Sequence, residues 1–364
     1  MKYIEEFRSK NAIESLSKDI EAASKTPIKI MEICGGQTNS IVKFGLHQLL
    51  PSQIELIHGP GCPVCVTPME SIDLAIELSK NPKNIICTFS DMLRVPSSKG
   101  SLAEAKAAGS SIKSLYSPME ALEVAEAHPS HEVILFAVGF ETTAPLHAAT
   151  IKEAHRRQLK NFSALTALVQ VPPAINAIMS DPETQVDAML AAGHVCTIMG
   201  EQPYHPLCEA YKIPIVITGF EPVDILQGIL CAVRQFEQGT FHLENQYRRV
   251  VGPKGNQVAQ ALLEEVFISS SQSWRGIGDI PSSGFQMREA YQFYDATSRF
   301  GELSPNSFED EHRCQAGSIL KGLMKPQDCP QFGNSCNPDY PLGAPMVSHE
   351  GACAAYYNHG SLNP

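Results

Sequence analysis

No hydrophobic run in these 364 residues approaches the roughly 20 apolar positions that a bilayer-spanning helix needs. The first residues, MKYIEEFRSKNAIESL, place acidic side chains where a secretory signal would carry its apolar centre, so export is not expected and a cytoplasmic setting is. A basic surplus is also missing. Lys and Arg total 28 against 39 Asp and Glu, a net charge of −11, which argues against a nucleic-acid partner. Neither G-x-x-x-x-G-K-[ST] nor G-x-G-x-x-G occurs, so nucleotide binding has no support.

Cysteine, in contrast, is plentiful. Eleven is a high count for a reducing compartment, where clustered cysteines serve metals or redox chemistry more often than structural disulfides. Cys34, Cys62 and Cys65 lie in glycine-rich loops near the front, and Cys314, Cys329, Cys336 and Cys353 crowd the last 51 residues. Cys87, Cys196, Cys208 and Cys231 sit in or beside apolar segments such as IICTF and GILCAV, and read as small buried hydrophobes. With 43% hydrophobic and 18% charged residues the chain is an ordinary globular one, long enough for two or three domains.

Ile4, Phe7, Ile13, Leu16 and Ile20 recur at helical spacing, predicting an amphipathic helix within the first 25 residues. Short Val- and Ile-rich runs follow at 29–33, 54–58, 84–89, 133–139, 164–171, 194–199 and 213–219. They do not alternate, as expected of strands covered on both faces. Thr67-Pro68-Met69-Glu70 and Ser117-Pro118-Met119-Glu120 read as capping boxes opening helices, and Gly-Phe-Glu follows a strand twice, at 139–141 and 219–221. Alternating strands and helices predict an α/β fold with two parallel-sheet, Rossmann-like units over 27–128 and 129–222. After Pro222 come a long helix closed by Gly239, a second over GNQVAQALLEEVF, and a loop-rich stretch from about residue 268. Residues 1–26 and 223–364 are thus expected as a helical, loop-rich domain, its long loop held by four cysteines.

Those four, Cys314, Cys329, Cys336 and Cys353, are spaced unlike zinc ribbons or ferredoxins, which leaves an iron–sulfur cluster, zinc and unliganded thiols open. Cys62-Pro-Val-Cys65 has redox-pair spacing, and a helix start downstream lowers a thiol pKa. Cys34, in ICGGQTN with Thr38 and Asn39, occupies a second loop at a strand end. In an open parallel sheet such loops share a crevice, so Cys34, Cys62 and Cys65 are expected to converge as three soft donors; a tight turn with two half-buried thiols is the plain alternative. His58, His194 and His205 are possible polar partners, and Asp91, Arg94 and Glu141 either face the crevice or serve as caps and surface ion pairs.

MEICGGQTNSIVKFG, HGPGCPVCVTP, VGFETTAP, ENQYRRVV and CPQFGNSCNP, together with MVSHEGACAAYY, resemble the HypD family of [NiFe]-hydrogenase maturation factors over roughly residues 27 to 357. The resemblance implies a three-domain cytoplasmic protein whose C-terminal part carries a [4Fe–4S] cluster. With a small partner, HypC, that family forms a scaffold on which Fe(II) acquires CN and CO ligands. Cyanide comes from the thiocarboxamide-carrying partner HypE, and the Fe(CN)2CO group passes to the hydrogenase large-subunit precursor. The family's iron-handling cysteines fall on Cys34, Cys62 and Cys65, and its cluster cysteines on Cys329, Cys336 and Cys353, with Cys314 beside the Ala316 position where another is usual. Its CGGHTH motif reads CGGQTN here, with Gln37 and Asn39 in place of histidines. On this reading the Cys62/Cys65 pair also cycles to a disulfide and, with the cluster, supplies electrons. The rivals are a thiol–disulfide oxidoreductase using Cys62 and Cys65, and a zinc-stabilised interaction protein.

Overall fold

The computed structural model describes residues 5–301 and 314–360, and in it the Val- and Ile-rich runs become parallel strands. In chain order these are β1 (Ile28–Glu32), β2 (Ile54–His58), β3 (Asn84–Thr88), β4 (Ile112–Ser114), β5 (Glu132–Gly139), β6 (Phe162–Leu168), β7 (Ala188–Ala192), β8 (Ile215–Thr218) and β9 (Leu243–Asn245). One sheet has the order β2-β1-β7-β8-β9 and the other β4-β3-β5-β6. All their pairings are parallel, which gives the expected α/β, Rossmann-like architecture. The sheets share out the strands differently from two consecutive units at 27–128 and 129–222. β1 and β2 pair with β7 to β9, while the middle of the chain, β3 to β6, makes the second sheet. Local pattern marks a strand and its covering helix, but not which strand edges meet.

Residues 194–199, expected as a strand, belong to the helix Gly193–Met199. The strand is instead the preceding Ala188–Ala192, fully buried despite its modest β-propensity. The helix begins at a glycine because a Cβ there would lie 2.4 Å from the Thr218 carbonyl oxygen. Thr67 does not cap the following helix, Met69–Ser79. Its hydroxyl donates to the Pro63 carbonyl (2.9 Å) and closes the short helix Pro63–Val66. The matching start at Ser117 forms by half: Glu120 accepts from the Ser117 amide (2.8 Å), but the Ser117 hydroxyl accepts from the Met119 amide (3.3 Å), two residues on, and Met119 stands at the N-cap of the helix Glu120–Ala127.

The opening helix runs Lys10–Ala23, while Ile4 lies outside the described residues. With the helix Pro222–Gln238, closed by left-handed Gly239, it covers the first sheet. Ile20, Ile225, Ile229 and Val233 share one core with Ile28, Leu190 and Val216. The stretch from 268 is not all loop. β10 (Phe267–Trp274) and β11 (Gly278–Met287) form an antiparallel hairpin whose polar residues conceal it from a hydrophobicity reading. Trp274 anchors it, stacked on Phe140 at 5.8 Å and donating to the Ser283 hydroxyl at 2.8 Å. Among the described residues no helix is long and apolar enough to cross a membrane.

Asp224, fully buried at the start of the helix Pro222–Gln238, accepts two bonds from Arg249 (2.7 and 2.6 Å), whose guanidinium also stacks on Phe7 and Tyr247. Asp224→Asn removes that cation's hydrogen-bonded counter-charge and leaves it the weaker pull of Glu221. Since Arg249 is about a quarter exposed, the expected loss is about 2 kcal/mol rather than the full cost of breaking a buried pair. Chemical denaturation of the variant checks this.

Candidate functional site

In an open parallel sheet the ligand crevice lies beyond the carboxyl ends of the strands, where neighbours send their connections in opposite directions. In the first sheet that point falls between β1, which leads outward to β2, and β7, which leads the other way to β8. Cys34 stands two residues past β1 and His194 two residues past β7. Cys34 Sγ lies 3.0 Å from His194 Nε2. In the second sheet the equivalent point falls between β3 and β5. Thr142, three residues past β5, places Oγ1 3.0 Å from His194 Nδ1. One imidazole therefore joins the switch points of both sheets.

Burial sets the charge of this pair. It lowers the His194 pKa to about 4, and it pushes the Cys34 thiol well up, with the Glu350 charge adding to the effect. The pair is a neutral thiol beside a neutral imidazole. Cys34 is also the N-cap of the helix Gly35–Lys43, its carbonyl accepting from the amides of Gln37 (2.9 Å) and Thr38 (3.0 Å). The Phe220 ring meets His194 edge-on at 5.3 Å.

The Cys62/Cys65 turn leaves the same edge because β2 lies in register with β1, His58 opposite Glu32. The Gly59 amide donates to the Glu32 carbonyl (2.8 Å), and the Gly35 amide to the Gly61 carbonyl (3.0 Å). A Cβ on Gly61 would lie 2.2 Å from the Cys34 nitrogen, so the two loops touch backbone to backbone. Cys62 and Cys65, both buried, are joined as a disulfide with Cα atoms 5.2 Å apart. The hairpin turn holds them from one side, the Arg275 amide donating to the Val66 carbonyl at 2.9 Å. From another, Ala344 and Val347 share a core with Cys62, Val64 and Cys65. The same segment then crosses the Cys34 turn, where a Cβ on Gly35 would strike the Glu350 carbonyl oxygen at 2.1 Å, and enters the helix Ala352–His359 that carries Cys353.

The C-terminal cysteines come from four short structures. Cys329 closes the turn Pro326–Asp328; Cys336 closes a loop at Gly333 and accepts from the Leu342 amide at 3.4 Å; Cys314 adjoins Gly343. The Cys353 thiol is pushed up by burial first and then by Cys314, Cys336 and Cys329, so the other three cysteines all lie near it. Four cysteines gathered in this way have the donor chemistry of an iron–sulfur site. Among the described residues no three Cys, His, Asp or Glu side chains already stand in a metal-holding arrangement. Ala316 is buried at the start of the helix Ala316–Leu320.

The remaining candidates divide. Gln37 is buried and donates to Thr218 Oγ1 (2.6 Å) and the Ala191 carbonyl (3.2 Å), tying its helix to the ends of β7 and β8. Asn39 donates to the His349 carbonyl at 3.4 Å. His205 is exposed, and so are Asp91 and Arg94; the latter donates to the Pro338 carbonyl at 3.0 Å. Cys87, Cys196 and Cys208 are buried as expected of small hydrophobes, while Cys231 is half-buried and donates to Glu244 at 3.2 Å. Sequence reasoning missed Glu32 and Thr142. A lone carboxylate at the end of an apolar strand was the signal for Glu32. Nothing local marked Thr142.

With this geometry in place, the likeness to known proteins is informative. The family described as "HypD: Hydrogenase formation hypA family" matches residues 10–360. A hydrogenase expression/formation protein HupD of Azotobacter chroococcum mcd 1 is 46% identical over 99% of this chain and 97% of its own length. The hydrogenase maturation factors HypD of Rhodobacter capsulatus and Escherichia coli K12 are 45% and 42% identical, each over 99% of this chain and 98% of its own length. The class is that of hydrogenase maturation factors. This chain belongs to the HypD family.

Glu141, next to Thr142, is fully buried. Its Oε1 accepts from the Val171 amide (2.8 Å) while Oε2 has no hydrogen-bond partner among the described residues, and burial raises its pKa from 4.5 to about 7. The folded protein thus holds this proton where the unfolded chain has lost it. The contribution to stability falls as pH rises between those values, by roughly 3 kcal/mol, and is level above them. His147 and His194, lowered by burial to about 4, give the opposite slope below their ordinary 6.5. The difference between wild type and Glu141→Gln therefore isolates the carboxyl. Denaturation from about pH 5 to pH 8 is expected to show the variant gaining on wild type as pH rises; a constant difference contradicts the assignment.

Proposed function

We propose that this chain is a hydrogenase maturation scaffold on which Fe(II) acquires its CN and CO ligands, held by Cys34 and one of Cys62 and Cys65. The observation that carries the reading is the backbone contact of Gly61 with Cys34 at one sheet edge. It brings together the two turns that carry the three cysteines. Thiolates suit a low-spin Fe(II) bearing strong-field ligands, since they are soft donors and leave other positions open. Family membership supports the hydrogenase part of the reading.

Cyanide arriving on a thiocyanate-type carrier needs two electrons to leave as CN⁻ and a carrier thiolate. Oxidation of the Cys62/Cys65 dithiol to its disulfide supplies those two electrons and releases two protons. Cys314, Cys329, Cys336 and Cys353 would hold a [4Fe–4S] cluster, which supplies one-electron storage when bound. The segment 344–351 supports this division of labour by joining the Cys62/Cys65 turn, the Cys34 turn and the helix of Cys353. In this scheme HypC shares the scaffold, HypE brings cyanide, the hydrogenase large-subunit precursor takes the product, and the setting is cytoplasmic.

The disulfide between Cys62 and Cys65 also favours a second reading, a thiol–disulfide oxidoreductase. That activity predicts turnover of a generic disulfide by the reduced protein without iron. For the scaffold reading, infrared spectra of the anaerobically purified protein with its partners should show cyanide and carbonyl stretches. Cys34→Ala should lose those bands and the bound iron while keeping cluster absorbance. Bands that persist in Cys34→Ala contradict it.

A further inference from the structure

A buried line of hydrogen bonds runs from the C-terminal helix to the backbone of Cys34. Tyr356, on the helix Ala352–His359, places its hydroxyl 3.0 Å from His58 Nε2, with the two rings edge to face at 5.2 Å. His58 Nδ1 bonds Glu32 Oε1, which also accepts from the Thr38 hydroxyl. The other oxygen, Glu32 Oε2, accepts from the Cys34 amide at 3.1 Å. Glu32 is 0% exposed, His58 2%, Thr38 3% and Tyr356 7%, so water does not compete for any of these bonds. A carboxylate can only accept, so Nδ1 of His58 carries a hydrogen, and Nε2 is tied to the tyrosine hydroxyl. Each bond thus fixes the orientation of the next.

We propose that Tyr356, acting through His58 and Glu32, is a positioning residue for Cys34, so that docking of the Cys353-bearing helix sets the Cys34 turn. Without the tyrosine hydroxyl, His58 Nε2 is left as a buried polar atom that has lost its partner, and the ring regains freedom to turn away from Glu32. Glu32 then holds the Cys34 amide less tightly, and the turn opens more often. The importance of Cys34 rests on the iron-scaffold reading, but the positioning itself does not.

The test is alkylation of the native full chain by iodoacetamide, without iron and with the Cys62–Cys65 disulfide intact, read for each cysteine by mass spectrometry. Cys34 is 2% exposed, so its rate reports opening of the turn. Tyr356→Phe keeps the ring and is expected to speed alkylation of Cys34 about tenfold, given what a buried unpaired polar group costs. Cys87, buried in the core of the second sheet, should keep its rate. His58→Gln should give the same selective rise. Tyr357→Phe, at a neighbouring residue 39% exposed, should change nothing. An unchanged Cys34 rate in both Tyr356→Phe and His58→Gln overturns the proposal, as does an equal rise at all buried cysteines, which would signal general loosening. Should the iron reading fail instead, Cys34→Ala would retain iron while this alkylation result stood.

Discussion

The site depends on parallel pairing of β1 with β2 on one side and β7 on the other. That pairing sets Glu32 opposite both His58 and Leu190. It aligns three strand ends, and the loops that follow have no choice but to meet. The glycines make the meeting close. Gly61 lies on the Cys34 backbone, and Gly35 lies under the Glu350 carbonyl, where any side chain would collide. Two cysteine-bearing loops almost 30 residues apart in sequence thereby meet backbone to backbone, and the segment that closes over them leads into the helix of Cys353.

The chemistry of the rim follows from burial. Cys34 is shielded from water and sits beside a histidine that is itself too buried to carry charge. Such a sulfur stays a protonated thiol until something of opposite charge replaces the proton, which is how a soft metal-binding site avoids a costly bare thiolate. His194 and Thr142 hold it from the two sheets at once, so the sheets keep their relation while the sulfur keeps its rotamer. On a smaller scaffold of turns, Cys353 follows the same principle: burial first, and then its three cysteine neighbours, raise its proton affinity.

Much of this was legible in the sequence, and the unreadable parts have physical causes. Uniformly apolar runs such as 133–139 declared buried parallel strands, because strands covered on both faces need no alternation. The front cysteines stood out through their glycine loops. The HVCTIM segment misled because its β-branched residues sit in a helix, while the plainer Ala188–Ala192 makes the strand under tertiary burial. The hairpin 267–287 was hidden by its serines and glutamines. Thr67 looked like a cap and closes the preceding turn instead. Thr142 and Glu32 acquire their roles only when strands far apart in sequence become neighbours, which no local pattern encodes.

The central claim is spatial, that Cys34 and the Cys62/Cys65 pair occupy one rim. The most direct measurement treats the reduced native protein with a short bifunctional thiol reagent and maps the linked peptides by mass spectrometry. The account predicts a link between Cys34 and Cys62 or Cys65. Links confined to the Cys62/Cys65 pair, with Cys34 modified only singly, would contradict it.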